Sequence, residues 1–126
     1  VVGDVFDGPE PIYQQIAQHI RRQVLAGDLR EGEQVMSTTQ FSTTYRINPA
    51  TAQKAFGLLV DEGVLYKQRG VGMFVADGAL DRLRGSGRAA FFAEKLDPIL
   101  DEAAYLGIDT EALLAHITAR TNREAS

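Results

Sequence analysis

Few side chains in this sequence are equipped for covalent chemistry. The two histidines, His19 and His116, stand almost a hundred residues apart and there is no cysteine, so neither a thiolate–imidazole pair nor a histidine-rich metal site is supported. Gly70-Val71-Gly72 lacks the third glycine and the strand-to-helix setting of a dinucleotide loop. Asp97, Asp101 and Glu102 read most simply as a solvated acidic helix face. The expectation is a non-enzyme with no metal and no cofactor. A different chemistry is available from short hydrogen-bonding side chains and isolated cations. Ser37, Thr38 and Thr39, then Asn48, Ala50, Thr51, Gln53 and Lys54, then Lys67, Arg69 and Gly70 could together meet phosphates and the edges of bases.

Those residues need particular elements to hold them. Ser37 with Gln40 three residues on is a capping-box pattern, in which hydroxyl and amide each satisfy a free backbone donor at a helix start. A short helix should follow, with Phe41 and Tyr45 as inward anchors. Asn48-Pro49 starts the next helix: Asn is a preferred N-cap, and Pro at the first helical position gives up an N–H that had no partner. The few residues between the two helices match the spacing of a helix-turn-helix. On a 3.6-residue period Ala52, Ala55, Phe56, Leu59 and Val60 face the core, while Ala50, Gln53, Lys54, Gly57 and Asp61 face away. Small, neutral and basic residues lead the outward face and acids come last. Such a gradient suits a helix that enters a DNA major groove N-terminus first. Gly63 supplies a left-handed cap.

Val64 to Gln68 and Met73 to Ala76 flank Arg69-Gly70-Val71-Gly72, giving a hairpin. Lys67 and Arg69 place positive charge near its tip, where phosphate or a narrow minor groove could receive it, and Gly70 permits close backbone approach. Taken singly, a capped helix pair is common in proteins of other function and a basic hairpin tip is usually a solvated turn. Their conjunction is what is specific: a winged helix-turn-helix in a mainly α chain with a small β-hairpin wing.

Asn48-Pro49-Ala50-Thr51-Ala52-Gln53-Lys54-Ala55-Phe56, Leu59 to Gly63, and Tyr66 to Val75 resemble a GntR-family transcription regulator. The Asn-Pro start and the short tail are similar to its small YtrA-like subfamily. Pro11 to Ile16 and Gly27 to Gly32 also match the family's opening, so the likeness covers about residues 9–78 strongly and the tail more loosely. The resemblance implies a DNA-binding regulator that works as a dimer through its tail. Two departures stand out. Thr39 occupies a position where relatives commonly carry a DNA-contacting arginine, and Pro49 replaces an arginine of many relatives, although Pro is usual there in the YtrA-like branch. Both remove charge from the DNA side.

At 126 residues with 44% hydrophobic content the chain can bury a core. The lack of cysteine fits a reducing cytoplasm, no apolar run approaches the roughly 18 residues needed to cross a bilayer, and the acidic opening is unlike a signal peptide. The formal net charge of −4 cuts against nucleic-acid binding. The field is uneven, however: between residues 34 and 75 Arg46, Lys54, Lys67 and Arg69 outnumber Asp61 and Glu62. Nonspecific affinity should therefore be low and strongly salt-sensitive. The competing reading is a winged helix whose recognition face docks another protein.

Along the chain, residues 1–8 are expected to fray. Ile12, Ile16, Ile20 and Val24, with Tyr13 and Ala17, form an amphipathic helix that packs beneath the helix pair. Arg21 and Arg22 read as structural before phosphate-binding, His19 as a surface or edge residue, and Glu33 to Val35 as a one-bridge strand beside the wing. Asp77-Gly78 is a breaker, with Gly85-Ser86-Gly87 a candidate second one. From Arg88, Phe92, Leu96, Ile99, Ala103 and Leu106 recur in a heptad-like seam widened by Phe91 and Leu100, with a kink expected at Pro98. Asp109 or Thr110 caps a last helix with Leu113, Leu114 and Ile117 on its apolar face, fraying from Asn122.

Two helices with so much apolar surface cannot bury it alone, and a second copy is the favoured partner, since two-fold symmetry supplies two half-sites. The domain organisation expected is 1–78 winged helix-turn-helix, 79–87 linker or start of a long helix, and 88–126 a short two-helix dimerisation unit. The expected partners are a double-stranded DNA operator and a second copy. No membrane is expected. The tail is too short for a deep effector pocket, and a small effector site at the dimer seam stays open.

Overall fold

A computed structural model describes residues 6–125 of the chain. The chain divides into two compact units that meet between Ser86 and Gly87. In the first, α1 (Ile12–Ala26) is followed by β1 (Gln34–Val35), α2 (Thr38–Tyr45), α3 (Pro49–Asp61), β2 (Leu65–Gln68) and β3 (Gly72–Val75). Helix α4 (Ala79–Ala90) then leads to a π-helical turn (Phe91–Leu96), α5 (Asp97–Tyr105) and α6 (Thr110–Ala125). The strands make one antiparallel sheet in the order β1-β3-β2. It is a mainly helical winged helix-turn-helix, and β1 beside the hairpin is the short strand expected there.

The core of the first unit follows the periodicities. Ile16, Ala17, Ile20 and Val24 of α1 are buried with Ala52, Ala55, Phe56 and Leu59 of α3, and Phe41, Leu65 and Val75 complete the cluster. Two residues assigned to the core are largely outside it, Ile12 at 45% and Val60 at 38% exposure. Ile12 is the first residue of its helix, with no preceding turn to pack beside it. Val60 lies about 100° around α3 from fully buried Leu59, past the edge of the apolar stripe.

Residues 1–5 of the segment expected to fray lie outside the described residues, and Phe6 does not behave that way. Its ring is buried against Phe41, Tyr45 and His19. Gln15 clasps the backbone behind it, accepting from Gly8 N–H at 3.1 Å and donating to the Gly8 and Glu10 carbonyls at 3.0 and 2.7 Å. An aromatic anchor and three hydrogen bonds offset the entropy of ordering this short stretch.

Helix α4 runs through Gly85-Ser86-Gly87 without a break. Its start is fixed to the winged unit: Ala79 and Leu83 are buried in that core, and Arg82 donates to the carbonyls of Gly63 and Asp77 at 2.7 and 2.9 Å. In the second unit the π-helical turn lies just before Pro98, with Asp97 N–H donating to Phe92 O, five residues back. A wider turn separates the proline ring from the preceding carbonyls, and it shifts the phase that a uniform heptad seam assumes. Gly107, at φ 74°, ends the helical run, and Asp109 caps α6 by accepting from Ala112 N–H at 2.9 Å. Helix α6 does not fray at Asn122 but continues to Ala125, with Arg120 paired to Glu124 at 3.1 Å across one turn.

Candidate nucleic-acid interface

The helix pair is built by its caps. Ser37 Oγ accepts from Gln40 N–H at 3.1 Å while Gln40 Oε1 accepts from Ser37 N–H at 3.4 Å, a complete capping box. Asn48 Oδ1 accepts from Ala50 N–H at 2.8 Å, and Pro49 opens α3. The Ser37 hydroxyl and the Asn48 carbonyl oxygen are thus occupied within the protein. Thr39 is exposed and Thr38 half-buried.

Helix α3 presents two contrasting sides. Ala52, Ala55, Phe56 and Leu59 are buried, whereas Ala50, Gln53, Lys54 and Gly57 are exposed and Thr51 lies half-buried at the boundary. Apart from Lys54 the exposed side chains in the first two turns are short or neutral, so a flat double-helical surface could approach the backbone closely. Lys54 has a partner from another helix: its Nζ lies 4.1 Å from the centroid of the Tyr13 ring on α1. The two acids at the far end of α3 are unequal. Glu62 is bound by Arg21, while Asp61 is exposed.

The hairpin turns at Gln68–Val71, where Val71 N–H donates to Gln68 O at 2.9 Å and Gly70 takes φ 77° in the third position. That turn geometry calls for glycine. Gly72, at φ 147°, is the second constrained position: a Cβ there would lie 2.5 Å from Gln34 Nε2, which itself donates to Val71 O at 3.1 Å. Gln34 of β1 therefore braces the wing tip. Lys67, Arg69 and Gly70 are all exposed, Lys67 on edge strand β2, and a lysine on an edge strand also discourages unwanted strand pairing.

Two residues near the helix pair have settings that the sequence did not disclose. Arg46, in the turn between α2 and α3, is exposed and adopts the left-handed conformation at φ 54°, ψ 49°, where glycine or asparagine is the usual occupant. His19 is half-buried, its ring edge-on to Phe6 at 5.6 Å. Burial, and then the charge of Arg22, lower its pKa from the ordinary 6.5. Among the described residues no group of His, Asp and Glu is arranged to hold a metal ion, and no helix is long and apolar enough to cross a membrane.

Residues 12–75, spanning α1 through the last strand of the wing, match the model of the bacterial regulatory proteins of the gntR family. The chain belongs to the GntR family. Among GntR relatives, it is 31% identical over 103 residues to the HTH-type transcriptional repressor YtrA of Bacillus subtilis, covering 82% of this chain and 78% of that protein. Longer curated repressors match over the winged helix, and the chain spans only about a quarter of their length (27% and 26%). A GntR family transcriptional regulator from Listeria monocytogenes superposes with a TM-score of 0.73 at 25% identity, covering 90% of this chain and 98% of that one. The structure of AraR(DBD) in complex with operator ORX1 matches with a TM-score of 0.53 at 29% identity, covering 56% of this chain and 92% of that one. The relatives are transcriptional regulators, and YtrA is a repressor.

Proposed function

We propose that the protein is a sequence-specific transcriptional repressor that binds a pseudo-palindromic DNA operator as a homodimer. The observation that carries the reading is the contrast on α3, which is buried along Ala52, Ala55, Phe56 and Leu59 and bare along Ala50, Gln53 and Lys54. On this reading Ala50, Thr51, Gln53 and Lys54 face the major groove, and Asn48 caps the helix that enters it. Thr38 and Thr39, with the capped start at Ser37, lie along the phosphate backbone. Lys67, Arg69 and Gly70 place the wing against the adjacent minor groove. The AraR domain in complex with an operator, which this chain resembles over 56% of its length, supports DNA binding by this fold.

The second unit supports the dimer. Phe92, Ile99, Leu114 and Ile117 are 57–58% exposed and Leu106 69%, with Phe91 and Leu100 also exposed. Leu96 and Leu113 are half-buried, and Ala103 is buried. Apolar side chains in that number need a partner surface. Residues 1–78 thus form the DNA-binding part, 79–87 the connection and 88–126 the dimerisation part.

A gel shift against the promoter of the protein's own operon, with a salt titration, tests the proposal. Retardation that survives competitor DNA and weakens steeply with salt supports it. The net charge of −4 favours the competing reading, docking of the α3 face on another protein. Absence of any retarded species at low salt would select that reading.

A further inference from the structure

The contact between Lys54 and Tyr13 gives Lys54 a narrower role than its place on the recognition helix suggests. Lysine is a flexible point charge with a large rotamer entropy to lose when it is immobilised. Here the ammonium already sits over an aromatic face, 4.1 Å from the ring centroid. Tyr13 is half-buried and packs against the core, so the ring is backed by the protein interior. Gln14 Nε2 donates to the Tyr13 hydroxyl at 3.3 Å. Among the described residues no carboxylate or carbonyl engages Lys54 Nζ, so its three N–H donors are uncommitted while the ring supports one side of the cation. Tyr13 lies in the first turn of α1, so the contact holds the charge against the neighbouring helix. A cation held beside the groove-facing row is placed for the backbone that borders a groove. Base edges would be left to Thr51 and Gln53, whose groups can donate and accept.

We infer that Tyr13 is a positioning residue that preorganises Lys54 to bind a DNA phosphate rather than a base. The inference rests on the DNA-binding reading above and refines it. Preorganisation matters because the rotamer entropy of Lys54 is then lost on folding and not on binding.

The test uses full-length protein and two duplexes, one enriched by the wild-type protein from a random pool and one scrambled from it. Affinities are measured across a salt series for wild type, Tyr13→Leu, Tyr13→Phe, Lys54→Gln and the Tyr13→Leu/Lys54→Gln double variant. The ring-current shift of the Lys54 ε-methylene protons, read by NMR on free protein, reports the contact independently of DNA. Tyr13→Leu should abolish that shift and weaken binding about two- to fivefold, the strength of an exposed cation–π pair. Tyr13→Phe, which keeps the ring face, should restore both. Lys54→Gln should weaken binding to both duplexes by the same factor and reduce the salt slope by about one. In the Lys54→Gln background Tyr13→Leu should have no further effect. Equal or tighter binding by Tyr13→Leu, persistence of its loss without Lys54, or a Lys54→Gln loss confined to the selected duplex would each overturn the assignment. If wild type binds neither duplex while the NMR shift is present, the DNA-binding reading itself has failed and the phosphate role falls with it.

Discussion

Arg21 on α1 grips Glu62 at the end of α3 through two hydrogen bonds, Nε to Oε1 at 2.9 Å and Nη2 to Oε2 at 2.6 Å. The third arm of the guanidinium donates to Gln18 Oε1 at 3.0 Å. The pair ties the end of α3 to α1 and offsets one of the two negative charges there. It also commits Arg21 to a structural role.

Glu62→Ala should lower stability by about 0.5–1 kcal/mol, the range expected of a well-formed pair whose side chains remain partly solvated. Urea unfolding of Arg21→Ala, Glu62→Ala and the double variant gives the coupling directly. A coupling near zero would show that the bidentate geometry adds nothing.

Arg46 gives the opposite sign. An arginine in the left-handed region is strained, and glycine is the residue that occupies it freely. Arg46→Gly should therefore raise stability by about 0.5–1 kcal/mol, after allowing for the greater unfolded-state entropy of glycine. A lower urea midpoint for this variant would mean that the Arg46 side chain makes a stabilising contribution larger than the strain.

These two arginines illustrate what the sequence could and could not disclose. The capping box at Ser37 and Gln40, the Asn48-Pro49 start, the Gly63 stop and the hairpin around Gly70 are local chemistry, written within a few residues, and all formed as expected. What sequence reading missed depends on partners distant in the chain. Phe6 finds a niche between α1 and α2, Lys54 meets Tyr13 across 41 positions, and Gln34 braces a turn 37 residues away. Pro98 was legible as a disturbance, but the π-helical turn ahead of it was not, since that depends on how the preceding turn relaxes. For the candidate interface, composition on α3 disclosed the outward face, whereas the contact of Lys54 with Tyr13 needed the neighbouring helix.

His19 makes stability depend on pH. Burial and then Arg22 lower its folded pKa below the ordinary 6.5, so between the two values the unfolded chain binds more protons. The associated stability is present in full above pH 6.5 and is lost as pH falls through the folded value. Across that window stability should decline with acid, and His19→Phe should flatten the decline. An unchanged slope in urea titrations of His19→Phe would assign the acid sensitivity to other groups.

Phe92 probes the tail. It is 58% exposed, and on the proposed dimer it lies within the subunit interface. Phe92→Glu should give monomers in sedimentation velocity while leaving helix content intact, because a charge buried at an apolar seam is strongly unfavourable. A dimer peak unchanged from wild type would remove Phe92 from the interface.

In the proposed dimer, two symmetry-related copies of α3 read the DNA. The most direct measurement is a hydroxyl-radical footprint of the wild-type protein on a duplex it has selected from a random pool. The result predicted is two protected half-sites related by a two-fold axis, their centres about one helical turn of 10–10.5 base pairs, or a multiple of it, apart. A single asymmetric footprint, or protection that does not distinguish the selected duplex from a scrambled one, would contradict it.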